Sequence, residues 1–367
     1  MRAKQYFIII IICLLNISVK ASEISDEVSP EIFDSLSVEA SALGVETSLQ
    51  KKISGYPVIA DKWMIVTANA YASIAGAEIL KDGGTAADAM VAAQSVLGLV
   101  EPESSGLGGG GFLVWYDSNT KQVTTLDGRE TAPSSSQMSQ FQNKDGESMK
   151  FFEAVIGGLS VGTPGIPALM FEAHKKWGNK QWGQLFAYGI GLSENGFMVS
   201  NKLSSSIQRD LERLKTFQST RDYFIPGNLP LNKGDIIKNQ DYGNTLKKIA
   251  SSGIDEFYLG NIADDIIDTV KNVKNNPGYL HKEDLKNYKV IERKPICINY
   301  KSYDICGMGP PSSGGIAVAQ IFKILENFDL ETLNNLDPIT WQIIGDTMQL
   351  VFACLLYTSP SPRDSGK

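Results

Sequence analysis

A single arginine is the strongest candidate for chemistry in this sequence. Arg129 follows Gly128 and precedes a Glu-Thr-Ala-Pro segment at residues 130–133. A run with five glycines in six positions, residues 106–111, comes shortly before it. Such a run gives up side-chain packing and costs backbone entropy, so it indicates unusual dihedral angles or a close approach to another group. Because a guanidinium can grip a carboxylate through two parallel hydrogen bonds, this combination predicts a site for a small anionic group.

Arg129 also has a purely structural interpretation. It could form an ion pair with Glu130 or with a nearby aspartate, and residue identity alone favours that alternative. Its setting favours binding, because a loop that follows a hairpin is a place where binding residues concentrate. Both interpretations predict that the guanidinium meets a carboxylate, either from the chain or from a ligand.

The glycine run also matches the G-x-G-x-x-G pattern of dinucleotide sites. That fingerprint requires a strand before the glycines and a helix after them, so that the helix N-terminus meets the pyrophosphate. Here the predicted order is the reverse, with a helix before residues 106–111 and a strand after them. The chain also has no Gly-Lys-Ser or Gly-Lys-Thr sequence for a P-loop. A nucleotide site is therefore not expected.

The chain has only two histidines, so few residues could serve in a histidine-dependent catalytic site. The two histidines, His174 and His281, lie among charged residues and are predicted to be solvated surface residues rather than catalytic ones. No spacing of cysteines or histidines is typical of a metal cluster. The sequence therefore predicts neither a histidine-based triad nor a metal site.

A two-stranded hairpin is predicted directly before Arg129. Residues 112–116 and 122–127 read as strands around a turn at residues 117–120. A helix over residues 86–99, apolar almost all round, precedes the glycine run and is expected to be buried. These elements would hold Arg129 just past the end of the hairpin.

The remaining elements are predicted to be mostly helical. A helix over residues 72–81 ends at Gly83 and Gly84, and Thr85 caps the helix that follows. Further helices are predicted over residues 167–178, 182–194, 204–219, 242–252, 262–274, 316–325 and 338–353. Further strands are predicted over residues 58–67, 290–292, 296–300 and 303–306.

The N-terminus is typical of a secretory signal. Residues 1–21 combine a charged start, an apolar stretch at residues 7–15 and a Val19-Lys20-Ala21 cleavage site. An uncleaved anchor is disfavoured because the apolar stretch is well short of the roughly 20 residues that span a bilayer. A lipoprotein is disfavoured because Cys13 lies inside the apolar stretch. We therefore expect a periplasmic or secreted protein without a membrane contact after cleavage.

Charge and composition exclude some classes of partner. The chain has 367 residues, of which 43% are hydrophobic and 20% charged, as expected of a globular protein. Loss of the three cations Arg2, Lys4 and Lys20 with the signal would change the net charge from −7 to −10. An acidic chain without a basic stripe argues against a nucleic-acid partner, since phosphate binding needs concentrated lysine and arginine.

The two ends of the mature region are predicted to lie outside the globular part. Residues 22–52 are acidic and serine-rich, and we expect a flexible leader there. Residues 354–367 resemble translated sequencing-adapter DNA and would be an artefact tail, although a natural Ser/Pro-rich tail is the alternative. In the globular part, Cys297 and Cys306 face each other across a predicted hairpin. They could form a disulfide or remain two buried thiols, and the sequence leaves both open.

Several motifs together resemble one family. Val100-Glu101-Pro102, residues 104–112 and residues 127–133 resemble the γ-glutamyltranspeptidases, also called glutathione hydrolases. Further matching segments are residues 81–89, 160–165, 194–197 and 310–315. The resemblance runs in order from about residue 62 to residue 353, and residues 53–353 would be an incomplete large-subunit region.

The resemblance implies a fold and an activity. The fold would be α+β, the αββα sandwich of the N-terminal-nucleophile hydrolases, with this chain supplying the large-subunit part. A precursor in this family cuts itself into a large and a small subunit, and the new N-terminal threonine of the small subunit attacks the γ-glutamyl amide. Neither a metal nor an organic cofactor is needed. The residue that matches Arg129 binds the α-carboxylate of the γ-glutamyl group.

The expected reaction is γ-glutamyl transfer from glutathione or a similar amide to water or an amino acid through an acyl-threonine intermediate. No Thr-Thr-His processing site occurs in the 367 residues, so the chain is expected to contain no catalytic nucleophile, to need the small subunit of the same precursor and to be inactive alone. Alternatives are a cephalosporin-acylase-like amide hydrolase of the same fold and a non-catalytic secreted binding remnant.

Overall fold

The computed structural model describes residues 35–330, 334 and 337–358, with side chains described from residue 42 to residue 353. The predicted signal peptide, the first part of the leader and most of the predicted artefact tail lie outside the described residues. The helices in chain order are α1 Ser35–Ile53, α2 Ala70–Lys81, α3 Ala86–Val100, α4 Pro102–Ser105, α5 Phe151–Val155, α6 Ile166–Trp177, α7 Ala187–Asn195, α8 Asn201–Arg209, α9 Leu211–Leu214, α10 Gln218–Phe224, α11 Gln240–Ser252, α12 Asp255–Tyr258, α13 Asn261–Asn272, α14 Lys282–Lys286, α15 Gly314–Leu325 and α16 Pro338–Thr358. The strands are β1 Gly111–Asp117, β2 Gln122–Gly128, β3 Phe197–Met198, β4 Ile236–Ile237, β5 Ile291–Arg293, β6 Ile296–Tyr300 and β7 Tyr303–Gly307.

The N-terminal helix corrects one prediction. Residues 35–52 belong to α1, which lies against α2, and are not the flexible leader that their composition indicated. One i,i+4 side-chain contact supports α1: the Gln50 amide donates to Glu46. Helix propensity summed over this long segment, together with the contact between α1 and α2, therefore favours a helix despite the serine-rich composition.

Helices α2 and α3 pack on each other and contribute many residues to the hydrophobic core. Thr85 and Asp88 form a capping box at the start of α3, with Asp88 N–H donating to Thr85 Oγ1 and Thr85 N–H donating to Asp88 Oδ2. Gly83, at φ +78°, makes the turn between the two helices in a backbone conformation that other residues rarely adopt. The small apolar residues of α3 are buried, as predicted, and they bring the end of α3 to the glycine run.

The predicted hairpin is present and leads directly to Arg129. β1 pairs with β2 in antiparallel register from Gly111 opposite Gly128 to Asp117 opposite Gln122. β5 pairs with the other edge of β2, which gives a sheet in the order β1-β2-β5. Leu126 of β2 is buried against Leu169 and Ala173 of α6. This packing anchors the hairpin on a helix of the core.

Most of the predicted helices are present, but two differ. Residues 182–186 form a 3₁₀ turn before α7. The helix predicted over residues 204–219 is instead divided among α8, α9 and α10, and it ends first at Asp210. Thr220 explains the later break, because its hydroxyl bonds the carbonyls of Leu214 and Phe217. A hydroxyl that competes for backbone carbonyls disfavours a continuous helix.

The strand predicted over residues 58–67 is not formed. These residues have no regular secondary structure, and Val66 is 83% exposed. β-branched and apolar side chains favour an extended backbone, but a strand also needs a neighbouring backbone to pair with. Within the described ranges no other segment pairs with residues 58–67. The prediction was therefore wrong about the structure that this composition forms here.

The C-terminal described part contains a second hairpin. β6 and β7 pair with Cys297 opposite Cys306, and the two residues form a disulfide with a Cα–Cα distance of 4.1 Å. The disulfide is the first of the two alternatives that the sequence left open. α15 packs on this hairpin, and α16 packs on α15. Among the described helices, none combines the length and the apolar composition that crossing a bilayer requires.

Candidate functional site

A cavity of about 730 Å³ lies beneath the glycine run and beside Arg129. It is bounded by the middle of α3, the short helix α4, the start of β1 and the start of α6. The lining residues are Met90, Gln94, Pro102, Glu103, Ser104, Ser105, Gly106, Gly108, Gly109, Gly110, Gly111, Phe112, Leu113, Arg129, Glu130, Ile166, Leu169 and Met170. Its charged groups are Glu103, Arg129 and Glu130, whereas residues from α3, β1 and α6 make much of the rest apolar.

The glycine run is needed because another backbone segment passes against it. A Cβ atom on Gly110 would lie 2.6 Å from the Glu130 nitrogen and 2.8 Å from Arg129 Cα. The Gly109 carbonyl accepts hydrogen bonds from the backbone N–H groups of Gly165 and Ile166, at 2.9 and 3.1 Å. The run therefore connects the Arg129 loop to the start of α6, and a side chain at Gly110 would push that loop away.

The Arg129 side chain lies at the edge of this cavity. It is 52% exposed, and Nη1 is 3.2 Å from Glu130 Oε2. The guanidinium carbon is also 5.9 Å from the centre of the Phe112 ring. The structural ion pair with Glu130 is thus present, and Arg129 is also one of the residues that line the cavity. One arginine can engage two carboxylates because it carries five N–H donors.

Glu101 is a buried carboxylate to which sequence reasoning gave no role. Its side chain is 1% exposed, Oε1 accepts a hydrogen bond from Asn69 Nδ2 at 3.1 Å, and Oε2 lies 2.5 Å from Lys202 Nζ. Asn69 also caps α2. The hydrogen bond to Glu101 raises the pKa of Lys202 above its ordinary value. Glu101 therefore fixes the chain directly before the cavity wall at residues 102–106.

A second polar contact supports the same wall. Gln94 of α3 donates from Nε2 to the Ser105 carbonyl at 2.7 Å. Glu101 and Gln94 hold the two ends of α4, so this short helix depends on side chains of its neighbours. A signal for Glu101 was available in the sequence, since a carboxylate at the end of an apolar helix needs a partner once it is buried.

The histidines lie away from this cavity, and one of them corrects a prediction. His174 is not a solvated surface residue: its side chain is 17% exposed, Nε2 lies 2.8 Å from the Lys180 carbonyl oxygen, and its ring packs beside Trp182. His281 is half-buried, with Nδ1 3.0 Å from Lys271 Nζ. In the part of the chain that the structure describes, no three histidine, cysteine, aspartate or glutamate side chains form a group suited to a metal ion.

Comparison with known proteins identifies the family. The family model for gamma-glutamyltranspeptidase matches residues 72–355, which include the α2–α3 pair, the glycine run and Arg129. The chain belongs to the γ-glutamyltranspeptidase family. The resemblance found in the sequence motifs is thereby confirmed.

Several curated relatives of this chain are glutathione hydrolase proenzymes. The one from Bacillus subtilis (strain 168) is 39% identical over 290 residues, which are 79% of this chain and 49% of the relative. The one from Escherichia coli (strain K12) is 34% identical over 301 residues, 81% of this chain and 51% of the relative. The chain spans about half the length of the curated relatives it matches.

Solved structures of the family share the fold. The Helicobacter pylori gamma-glutamyltranspeptidase has a TM-score of 0.77 and 34% identity, with 82% of this chain and 85% of that chain covered. Cephalosporin acylase from Bacillus halodurans has a TM-score of 0.68 and 27% identity, with 81% of this chain and 56% of that chain covered. The predicted α+β class and its N-terminal-nucleophile hydrolase fold are confirmed by these matches, and the chain belongs to an enzyme family.

Proposed function

We propose that this chain is the donor-binding part of an enzyme that transfers a γ-glutamyl group from glutathione or a similar γ-glutamyl amide to water or an amino acid. The observation that supports this most directly is the place of Arg129, on a loop after the hairpin and at the edge of the cavity under the glycine run. Relatives named glutathione hydrolase proenzyme support the substrate class.

Arg129 would bind the α-carboxylate of the donor through its outward-facing N–H groups. A charge-assisted, bidentate contact fixes both the position and the direction of a small ligand. With that end held, the γ-carbonyl at the other end of the glutamyl chain is carried to a defined place, which is how positioning accelerates a reaction. Glu130 would share the guanidinium, and its carboxylate also gives the cavity a partner for a cationic ligand group.

The nucleophile would be the N-terminal threonine of a small subunit cut from the same precursor. Its hydroxyl oxygen would attack the γ-carbonyl and the amine would leave with the proton, so that an acyl ester forms before water or an amino acid releases the glutamyl group. The word proenzyme in the names of the relatives supports such processing. On this proposal no residue of the present chain is the nucleophile, and the chain alone has no turnover.

The place of action would be the periplasm or the outside of the cell. Two observations support this proposal: the signal-like residues 1–21 and the disulfide between Cys297 and Cys306. Disulfides persist in oxidising compartments and are rare in the cytosol.

A second candidate is hydrolysis of an acyl amide with an apolar acyl group. The apolar part of the cavity favours it, with Met90, Leu113 and Met170 among the lining residues. Relatives of that kind exist, since Acylase ACY 1 proenzyme from Pseudomonas sp. (strain V22) is 31% identical over 302 residues. A binding protein without catalysis is a third possibility that the tests below separate from both enzymes.

Arg129→Ala tests the donor site on the chain itself. Titration with glutathione, followed by calorimetry, should show binding to the wild-type chain and a loss of about 2 kcal/mol in the variant, because one half of a charged pair is removed. Arg221→Ala is the matched control: Arg221 pairs with Asp222 on the surface and does not line the cavity. Equal dissociation constants for Arg129→Ala and wild type would contradict the proposed role.

Measurements of enzymatic turnover distinguish the remaining candidate functions. The purified chain should release no p-nitroaniline from γ-glutamyl-p-nitroanilide, and measurable release would contradict a nucleophile outside the chain. The coding sequence that follows codon 353 in the source genome should encode a threonine at a self-cleavage site. Its product should prefer the γ-glutamyl anilide to acyl β-lactams. The reverse preference would support the acylase, and a gene without such a threonine would support the binding protein.

A further inference from the structure

The backbone of Arg129 is held by hydrogen bonds on both sides of its Cα atom. Its N–H donates to Asp127 Oδ1 at 3.0 Å, and its carbonyl oxygen accepts from the Tyr288 hydroxyl at 2.7 Å. Each contact fixes one of the two peptide planes that set the direction of the side chain. A loop residue with both neighbouring peptides fixed has lost the backbone freedom that loops usually keep.

Asp127 is itself fixed by a third residue. Its side chain is 8% exposed, and Oδ2 accepts a hydrogen bond from Arg293 Nε at 2.8 Å. Its Cα atom lies opposite Ile291 in the pairing of β2 with β5. The carboxylate therefore uses one oxygen for Arg129 and the other for the end of β5, so its orientation is set by two donors of fixed geometry.

Tyr288 is also held in place, as a hydrogen-bond donor. Its ring stacks on Tyr258 with 5.8 Å between ring centres and 5° between planes. The Tyr258 hydroxyl donates to the Pro164 carbonyl at 2.9 Å and accepts from the Ala168 N–H at 3.2 Å, which ties the stack to the start of α6. Burial raises the pKa of Tyr288 to about 12, with smaller contributions from Asp127 and Glu130. The hydroxyl therefore keeps its proton near neutral pH.

The space for this arrangement is made by a glycine. A Cβ atom on Gly165 would overlap both the Tyr288 hydroxyl and the Gly128 carbonyl. Gly165 thus leaves room for the Tyr288 hydroxyl to reach the Arg129 loop. Tyr288 and Arg293 both belong to residues 288–293, which pass beside the end of β2. Residues more than 150 positions apart in the chain meet at one arginine.

We propose that Tyr288 and the Asp127–Arg293 pair are positioning residues that present the Arg129 guanidinium to the carboxylate of the donor. This inference rests on the proposed function, because it assigns a ligand to Arg129. Binding groups need to be held within about 0.5 Å of their productive geometry by neighbours that are themselves fixed. Here the Arg129 backbone is fixed by two side chains, one of which is oriented by Arg293, so the guanidinium has only its own rotamers to adjust.

Tyr288→Phe is the sharpest test, because it removes one hydroxyl and keeps the ring that stacks on Tyr258. We expect the dissociation constant for glutathione to rise about threefold to tenfold, as for the loss of one hydrogen bond. Amide hydrogen exchange of Arg129 and Glu130 should accelerate by a similar factor. Asp127→Asn is the second variant: one side of the amide can still accept from Arg129, but its NH₂ would face a donor of Arg293, and the same two changes are expected.

Tyr242→Phe is the matched control. It makes the same chemical change at a buried tyrosine whose hydroxyl donates to the Ser95 carbonyl of α3 at 2.9 Å rather than to the Arg129 loop, so it should lower stability without changing exchange at Arg129. Unchanged exchange at Arg129 and Glu130 in both Tyr288→Phe and Asp127→Asn would overturn the inference. If the wild-type chain binds no glutathione, the proposed function fails, and the exchange rates alone decide whether these residues hold Arg129.

Discussion

The two β-hairpins of this chain are held together in different ways. In β1–β2, Leu126 is 1% exposed and packs against Leu169 and Ala173, and β5 extends the sheet on the side of β2. In β6–β7, no residue of either strand is buried. The disulfide between Cys297 and Cys306 joins these two strands instead.

The difference in how the two hairpins are stabilised matches what lies next to each of them. β1–β2 ends at Arg129 and at the cavity, where a binding group must keep its place, and close packing supplies that rigidity. β6–β7 has α15 as its main neighbour, with Tyr300 and Phe322 in ring contact at 4.8 Å. A covalent link holds the register of a hairpin whose own side chains bury little apolar surface. Hairpin β1–β2 is thus stabilised by packing, and the less buried hairpin β6–β7 is stabilised by a covalent cross-link.

Among the variants that test this comparison, Leu126→Ala should cause the largest loss in the free energy of unfolding. It removes a buried side chain at the contact between β2 and α6, and such truncations cost about 3 kcal/mol. Urea denaturation followed by tryptophan fluorescence would measure the loss, since Trp115 and Trp177 stack at 4.5 Å beside this contact. The control is Ile298→Ala in β6, where the half-buried side chain should cost about 1 kcal/mol. Equal losses would mean that packing supports both hairpins to the same extent.

The double variant Cys297→Ser, Cys306→Ser should have the next largest effect, confined to the second hairpin. Closing a loop of this length stabilises the linked segment by about 2 to 3 kcal/mol in the chain-entropy treatment. Hydrogen exchange of residues 296–307 should therefore accelerate, whereas exchange at β1 and β2 should stay unchanged. Reduction of the wild-type chain is the control and should reproduce the pattern. Faster exchange in β1–β2 would show that the two hairpins are coupled.

What could be predicted from the sequence was local. The turn at Gly83, the cap at Thr85 and the hairpin before Arg129 depend on residues within a few positions of one another, and all three are present. The motif resemblance added the family, which no local pattern contains. The place of Arg129 just past the end of β2 follows from these two together.

What could not be predicted depends on contacts between distant residues. Tyr288 is 159 positions from Arg129, and Arg293 is 166 from Asp127, so no spacing in the sequence links them. Burial of His174 likewise requires Trp182 and the Lys180 carbonyl, whereas its neighbours in sequence are lysines. Residues 58–67 show the opposite error, because their composition favours a strand but pairing depends on a partner backbone.

The smallest expected effect concerns the surface ion pair that joins α6 to β5. Lys176 Nζ lies 2.9 Å from Glu292 Oε2, and hydrogen bonding to Glu292 raises the pKa of Lys176 above 10.5. An exposed pair of this kind is worth about 0.5 kcal/mol, so Lys176→Met should barely move the urea midpoint at pH 7. Because the folded-state pKa is raised, this contribution is complete below pH 10.5 and disappears as the pH rises past the folded-state value. Lys323→Met, which breaks the pair between α15 and Glu326 directly after it, is the control beside the second hairpin. A loss well above 1 kcal/mol at low ionic strength that disappears in 1 M salt would mean that ion pairing, rather than the Leu126 contact, holds the first hairpin to the core.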